Sequence, residues 1–215
     1  MIQIKTFPFN PFAVNTYVLY DESGEGIIID AGNYSEAERE ELLNFVHKNS
    51  IEIKALYLTH AHIDHITGAA FLSEHFALPF RCHKAGEFLF STALSYALSL
   101  GLQVKKVPHE LEFIENEASI EFGNSKGIAL YTPGHVDGSL CYYFEKEKLV
   151  FTGDVLFRTG IGRTDLPTGD YGLLEKSIRD VLYKLPDEVK VYPGHGPQTS
   201  IGFEKRNNPF FQSLY

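Results

Sequence analysis

Cysteine is scarce in the sequence, with only Cys82 and Cys141 among 215 residues. Two cysteines cannot build the disulfide framework of a small secreted domain, so we expect a reducing, cytoplasmic compartment. The first residues also lack a charged segment followed by an apolar one, and no signal peptide is predicted. No apolar run reaches the roughly 20 residues that a membrane-spanning helix needs. We therefore expect no membrane partner.

Positive charge is also in short supply, because 19 lysines and arginines face 28 aspartates and glutamates, giving a net charge of −9. A basic surface for nucleic acid is missing, so nucleic acid is not an expected partner. Apolar residues make up 44% of the chain, which is enough for a substantial core. The length suits one domain, and we predict a single domain over residues 1–215.

Alternating and apolar segments predict a mixed succession of strands and helices. Strands are predicted at 2–7, 15–20, 27–30, 53–59, 80–83, 107–114, 118–122, 127–132, 140–144, 148–151 and 189–192. Helices are predicted at 36–48, capped by Ser35, and at 66–76, 87–100 and 171–183. The segments at 107–114 and 118–122 are expected on a second sheet, and the helix at 87–100 is expected to cover part of the site.

The densest chemical signal is a run of three histidines and one carboxylate within six residues: His60, His62, Asp64 and His65. Imidazole and carboxylate are ligands for zinc, iron or manganese. His60 and His62 are two residues apart, so an extended backbone points both side chains the same way. Asp64 and His65 follow at the turn into a helix and could serve a second metal ion. The alternative interpretation is a solvated, histidine-rich loop.

Three more potential ligands each follow an apolar strand, namely His135, Asp154 and His195. Side chains at the carboxyl ends of strands are typical of sites built on layered sheets. Two sets of four ligands can be counted if Asp154 is shared. The first set is His60, His62, His135 and Asp154. The second set is Asp64, His65, His195 and Asp154. Two metal ions about 3.5–4 Å apart form a common hydrolytic centre.

These motifs resemble the metallo-β-lactamase-fold superfamily over about residues 15–210. The segments that carry the resemblance are THAHIDH at 59–65, TPGH at 132–135, FTGD at 151–154 and PGHG at 193–196. Two further segments resemble short bacterial glyoxalase II (hydroxyacylglutathione hydrolase): GIGRTDLP at 160–167 and GFEKRNNPF at 202–210. The resemblance implies an α+β protein, a four-layer αββα sandwich with its site at one edge of the sheets.

The resemblance also implies a function, the hydrolysis of an acyl thioester such as a hydroxyacylglutathione. The expected cofactors are two divalent metal ions, zinc first and iron or manganese as alternatives, with a hydroxide held between them as the nucleophile. Asp64 is expected to orient that hydroxide. Arg163 is predicted to bind a substrate carboxylate, with an ion pair to Asp165 as the alternative. Lys205 and Arg206 are further candidate substrate contacts, with simple surface charges as the alternative.

The chain departs from the longer glyoxalase II enzymes at two points. It lacks their inserted helical domain, and Gly196 and Pro197 stand where those enzymes carry a glutamate and a thiol-binding tyrosine. Two other functions therefore stay open. The first is a persulfide dioxygenase that uses one iron ion, and the second is a metal-stabilised binding module without catalysis. We expect a small-molecule thioester substrate and a monomer or homodimer.

Residues outside this pattern are assigned no chemistry. Asp30 is predicted either to support the ligands from behind or to be a structural residue. The remaining histidines are predicted to be surface or structural residues: His47, His75, His83 and His109. Both cysteines are predicted to be small buried apolar residues.

Overall fold

The computed structural model describes residues 1–108 and 110–211, so His109 lies outside the described residues. Two six-stranded sheets form its centre. The first sheet contains, in both chain and spatial order, β1 (Gln3–Phe9), β2 (Val14–Tyr20), β3 (Glu25–Ile29), β4 (Glu52–Tyr57), β5 (Phe80–Cys82) and β6 (Leu111–Phe113). Strands β1 to β3 are antiparallel, whereas β3 to β6 run parallel.

The second sheet is mostly antiparallel, with one parallel pair next to its edge. Its strands in chain order are β7 (Ser119–Phe122), β8 (Ser125–Tyr131), β9 (Leu140–Phe144), β10 (Leu149–Gly153), β13 (Lys190–Pro193) and β14 (Thr199–Ser200). The short hairpin of β11 (Leu156–Phe157) and β12 (Gly160–Ile161) lies between β10 and β13 in the chain. The spatial order is β14-β13-β10-β9-β8-β7, and β10 pairs in parallel with β13.

Helices cover the outer faces of the sheets. The α-helices of the described residues are α1 (Glu36–Lys48), α2 (Ile63–Ile66), α3 (Ala69–Phe76), α4 (Glu87–Ser99), α5 (Tyr171–Lys176) and α6 (Ile201–Asn207). Ser35 caps α1 as predicted, in a reciprocal capping box with Glu38. No helix within the described ranges has both the length and the apolarity to cross a membrane.

The alternation of side chains along each strand separates the core into three clusters. In β2, Tyr17 and Leu19 pack between the two sheets, whereas Val18 faces the helices. The cluster between the sheets also includes Phe144 and Phe151 from the second sheet. The outer clusters join the first sheet to α1, α3 and α4, and the second sheet to α5 and α6. The predicted four-layer αββα sandwich is therefore confirmed, while the single domain over 1–215 stays a prediction.

Three predicted elements differ in the structure. The helix expected at 66–76 begins only at Ala69 as α3, and Ile66 ends the short helix α2. The two are separate because the Gly68 amide donates to the Ala31 carbonyl at 2.8 Å, outside the helix. The strand expected at 107–114 is only β6, and it belongs to the first sheet. The stretch from β5 through α4 to β6 is a parallel crossover, which returns the chain to the same sheet. The helix expected at 171–183 is α-helical only to Lys176 and ends in a π turn and a 3-10 turn.

A buried carboxylate fixes α6 to the β11–β12 hairpin. Glu204 is fully buried and accepts hydrogen bonds from the Thr159 amide at 3.0 Å and from the Thr199 hydroxyl. Asn208 donates to the same carboxylate at 2.9 Å and to the Gly160 carbonyl at 3.1 Å. Because buried polar groups are costly when left unpaired, this network holds the hairpin firmly against the C-terminal segment.

We predict that Glu204→Gln lowers the free energy of unfolding by about 1–3 kcal/mol, because the new amide N–H group would face donors that now bond to the carboxylate. Denaturant unfolding followed by circular dichroism measures this loss. Lys205→Ala is the matched control. Lys205 makes solvent-accessible contacts with Asp187 and with the Leu185 carbonyl, so its loss should cost less than about 1 kcal/mol. Equal stabilities of the two variants would contradict the prediction.

Candidate metal centre

The loops that follow four strands meet at one edge of the sandwich and are joined across the two sheets. The Leu140 amide donates to the Thr59 carbonyl at 2.8 Å, which links the second sheet to the loop after β4. The Tyr17 hydroxyl donates to the Pro193 carbonyl at 2.7 Å, and Asn15 donates to the same carbonyl at 3.0 Å. These bonds hold the end of β4 against β9 and the end of β13 against β2, so the side chains that follow β4 and β13 have a rigid base.

All seven predicted ligands converge at this edge. Their ligand-type atoms form three overlapping groups, each with every pairwise separation within 4.8 Å. The groups are His60 with His62 and His135, His60 with His65 and Asp154, and Asp64 with His65 and His195. Four separate loops thus supply one continuous cluster. The structure therefore brings the ends of distant strands together at one edge, while the role of these seven residues as metal ligands stays a prediction.

The first group consists of three imidazoles with their nitrogens close together. His62 Nδ1 lies 3.1 Å from His60 Nε2 and 2.9 Å from His135 Nε2. His60 and His135 are almost fully buried. Burial, together with the neighbouring imidazoles, lowers the pKa of His60 well below its usual value, and burial lowers that of His62 to about 4. The three rings are therefore neutral at pH 7 and present lone pairs to one another.

The group of Asp64, His65 and His195, called the second group, contains one carboxylate, and Asp154 adds another. Asp64 Oδ2 lies 3.0 Å from His195 Nε2 and 3.8 Å from His65 Nε2. Asp154 stands between the groups, with Oδ1 at 3.3 Å from His65 Nε2 and Oδ2 at 3.7 Å from His135 Nε2 and 3.6 Å from His195 Nε2. One carboxylate oxygen therefore faces both groups, the position that a bridging ligand would occupy.

Four of the histidines are anchored through the ring nitrogen that faces away from the cluster. His135 Nδ1 lies 2.7 Å from the Arg163 carbonyl, and His195 Nδ1 lies 3.0 Å from the Phe12 carbonyl. His65 Nδ1 lies 2.8 Å from Asp30 Oδ2, and His60 Nδ1 lies 3.1 Å from Thr59 Oγ1. Such outer partners fix both the orientation and the tautomer of metal-binding histidines.

These partners determine where the protons are. Carbonyl and carboxylate oxygens only accept, so His65, His135 and His195 each carry a proton on Nδ1. The Thr59 hydroxyl donates its single proton to Asp30, 2.9 Å away, so it accepts from His60 Nδ1. In the neutral form of each of these rings, Nε2 is unprotonated and points its lone pair into the cluster. A proton on His62 Nδ1 could be donated to only one of its two close neighbours, and the Nε2 lone pair of the other neighbour would stay unpaired.

The donor set fits cations. His65 Nε2 and Asp154 Oδ1 are buried and have no hydrogen-bond partner, although they lie only 3.3 Å apart. Burial disfavours a charged His65, but the carboxylates of Asp30, Asp154 and Asp64 outweigh it and raise the pKa of His65 well above its usual value. The pKa of Asp154 is lowered, since the neighbouring histidines outweigh its burial. His65 therefore holds a proton at neutral pH unless a cation takes its place, and imidazole with carboxylate suits zinc, iron or manganese.

Close backbone approach requires glycine at two points of the site. A Cβ at Gly162 would lie 1.9 Å from the Asp154 carbonyl and 3.0 Å from His135 Nδ1. A Cβ at Gly194 would lie 2.2 Å from Asp154 Oδ1. Asp30 itself has a φ of +60°, an uncommon conformation for a residue other than glycine. That conformation aims its carboxylate at both Thr59 and His65.

The predicted substrate contacts lie outside the cluster. The Arg163 side chain is exposed and forms a two-pronged pair with Asp165, with N–O distances of 2.7 and 2.6 Å, which is the alternative that the sequence left open. Lys205 and Arg206 both pair with Asp187. Roles for these three residues in substrate binding stay predictions.

Several supporting groups were not foreseen from the sequence. The carbonyls of Phe12 and Arg163 are main-chain groups, which leave no mark on residue type. Asn10 donates its side-chain amide to the Asp64 carbonyl at 2.8 Å and to that of Gly32 at 3.1 Å. Its position before Pro11 signals a turn, but not the partner of that turn.

Comparisons with known proteins agree with this geometry. The family model of the metallo-beta-lactamase superfamily matches residues 9–195. A Haemophilus influenzae protein named hydroxyacylglutathione hydrolase GloC is 36% identical over 214 residues, which is 99% of each chain. Two solved structures are also similar. BLEG-1, titled a B3 metallo-beta-lactamase, has 37% identity, a TM-score of 0.86 and coverage of 98% of this chain and 100% of its own. TTHA1623 in a di-iron-bound form has 35% identity, a TM-score of 0.87 and coverage of 96% and 100%.

We predict that Thr59→Val weakens metal binding about 10- to 100-fold, although Thr59 is not itself a predicted ligand. The change removes the hydroxyl that connects Asp30 to His60. Competition with a chromogenic chelator measures the affinity. Thr132→Val is the matched control, because the buried Thr132 hydroxyl contacts only Cys141 and its loss should leave affinity within about twofold. An unchanged affinity in Thr59→Val would show that the outer bond does not orient His60.

Proposed function

The chain belongs to the metallo-beta-lactamase superfamily, and from this we propose that it is a hydrolase that cleaves an acyl thioester at a two-metal centre. Membership of the superfamily supports metal-dependent hydrolysis in general. The observation that carries the finer proposal is Asp154, whose carboxylate faces both histidine groups. One carboxylate within reach of both ligand sets is what a two-metal centre requires.

Two sets of ligands would hold the ions. His60, His62 and His135 would hold the first, Asp64, His65 and His195 the second, and Asp154 both. Bound divalent ions supply hydroxide at neutral pH and polarise a carbonyl group. Zinc is our first proposal, with iron and manganese as alternatives, because all three accept these ligands. The di-iron form of TTHA1623 supports iron as the main alternative.

Asp64 is the residue to which we assign the orientation of the attacking water. The nearby His65 and His195 outweigh burial and keep the pKa of Asp64 well below its usual value, so it is ionised at every physiological pH. An ionised carboxylate only accepts hydrogen bonds. Asp64 would therefore accept a hydrogen bond from the water. This would direct a lone pair of the water oxygen at the carbonyl carbon of the substrate. Asn10 donates a hydrogen bond to the Asp64 carbonyl, which keeps the backbone at Asp64 in place.

A thioester suits a site without a separate general acid. The leaving thiolate has a conjugate-acid pKa near about 8.5, so it departs without a proton from the protein. Nucleophilic catalysis by cysteine does not compete, because burial raises the pKa of both Cys82 and Cys141 to about 12. The name of the Haemophilus influenzae relative also supports a thioester, specifically a hydroxyacylglutathione.

The direct test is release of thiol by the purified, metal-loaded chain. We expect hydrolysis of S-lactoylglutathione or simpler acyl thioesters, with free thiol followed by a colorimetric reagent. Asp154→Asn should lower kcat/KM by at least about 100-fold, since it removes the shared carboxylate. Failure with every thioester would contradict the proposal. Oxygen uptake with a glutathione persulfide would favour the persulfide dioxygenase instead. Turnover of a β-lactam alone would favour a β-lactamase, the class in which BLEG-1 is named.

Arg163 gives a separate prediction about binding. Arg163→Ala keeps the main-chain carbonyl that anchors His135, so metal content should not change. The loss of an exposed charge contact should raise KM about threefold to tenfold for a carboxylate-bearing substrate, with little change in kcat. Arg179→Ala is the matched control. Arg179 lies in the turn after α5 and forms a similar exposed ion pair, with Glu175 of α5. A fall in kcat with an unchanged KM would contradict a binding role.

A further inference from the structure

An open cavity of about 450 Å3 adjoins the metal cluster on the side of α4. His62 and Ile63 form its inner wall, next to the first histidine group. Phe88 and Tyr96 line it from α4, and Pro167 lines it from the loop that contains Arg163. This volume is within the usual range of small-molecule sites. The predicted cover of the site by the helix at 87–100 thus corresponds to a wall of this cavity.

The chemistry of the cavity is apolar. None of the described residues that line it is lysine, arginine, aspartate or glutamate. A glutathione moiety carries two carboxylates and an ammonium group, and burying such charges without partners is unfavourable. Arg163 does not line the cavity, and its side chain pairs with Asp165. A group without charge is therefore the better occupant.

The composition of α4 supports the same conclusion. Its 13 residues, EFLFSTALSYALS, include one charged side chain, Glu87. Ala93 and Ala97 face the core, yet Phe88 and Tyr96 remain 39% and 41% exposed. Large apolar side chains that face an open cavity gain free energy when an apolar group covers them. An apolar ligand at this wall would lie beside His62.

We infer that this cavity binds an uncharged apolar group of the substrate, an alkyl or aryl substituent next to the reacting carbonyl. The inference rests on the proposed thioester hydrolysis and narrows its substrate class. At roughly 30 Å3 for each water-sized group, the cavity holds about 15 such groups. An acyl or thiol substituent of about six to ten carbons fits that volume, with the thioester placed toward the metal cluster.

Binding of unreactive thioethers tests the cavity without turnover. Metal-loaded protein is titrated calorimetrically with S-alkyl derivatives of N-acetylcysteamine, from methyl to octyl. We expect affinity to increase about fourfold per methylene, the value for burial of one CH2 group, until the cavity is full. An affinity that does not depend on chain length would overturn the inference.

Two variants on the same helix localise the effect. Ser95 lines the cavity, whereas Leu98 is 75% exposed and does not. Ser95→Arg places a charge in the cavity and should weaken binding of the hexyl thioether at least about tenfold, with the methyl compound changed less than about twofold. Leu98→Arg, the same charge change on α4, should leave both affinities unchanged. Equal effects of the two variants would overturn the inference.

The oligomeric state of the protein provides a second test of the inference that the cavity binds a ligand. Analytical ultracentrifugation measures the mass of the wild type and of both variants. A dimer that Ser95→Arg dissociates would assign the apolar face of α4 to a second copy of the chain and overturn the inference. An unchanged mass, together with the affinity series, supports a ligand-binding cavity.

Turnover then separates the cavity from the reaction. Two series of thioesters are compared, one that lengthens the acyl group and one that lengthens the thiol. An increase of kcat/KM along one series supports the inference and identifies which substituent occupies the cavity. A chain-length series in thioether affinity without thiol release from any thioester would contradict the proposed hydrolysis while the cavity assignment stands.

Discussion

Crowding of nitrogen lone pairs and carboxylate oxygens at one sheet edge is the constraint on which the rest of the site depends. His62 Nδ1 lies within 3.1 Å of two other ring nitrogens, and Asp154 faces three imidazoles. These atoms repel one another unless positive charge lies between them. Because His60 and His62 have lowered pKa values, protons do not supply that charge at the first group. A bound cation would relieve the repulsion at the first group.

The fold maintains this unfavourable arrangement through hydrogen bonds to four of the rings, each made by the ring nitrogen that faces away from the cluster. Asp30 has a central part, since it bonds to His65 directly and to His60 through Thr59. Main-chain carbonyls hold His135 and His195 in the same way. The cost of crowding is offset by cross-sheet bonds such as that from Leu140 to Thr59. Structure and chemistry therefore depend on the same set of loops.

The sequence indicated which residues lie together in the cluster, because metal-binding chemistry is carried by residue type. His135, Asp154 and His195 each follow an apolar strand, and strand ends in a layered fold meet at one edge. The anchoring carbonyls could not be predicted, because every residue has one. The sheet that β6 joins depends on a crossover, which local periodicity does not reveal. The segment at 202–210 resembled a substrate site in the sequence. In the structure, Glu204 of this segment is buried and accepts a hydrogen bond from the β11–β12 hairpin, which it holds in place.

Anomalous diffraction from crystals of the metal-loaded protein tests the central claim most directly. Data collected on both sides of the metal absorption edge locate each ion independently of the protein atoms. The account predicts two anomalous peaks about 3.5–4 Å apart, with Asp154 between them. One peak at full occupancy, with His65 and His195 bonded only to carboxylates, would contradict it.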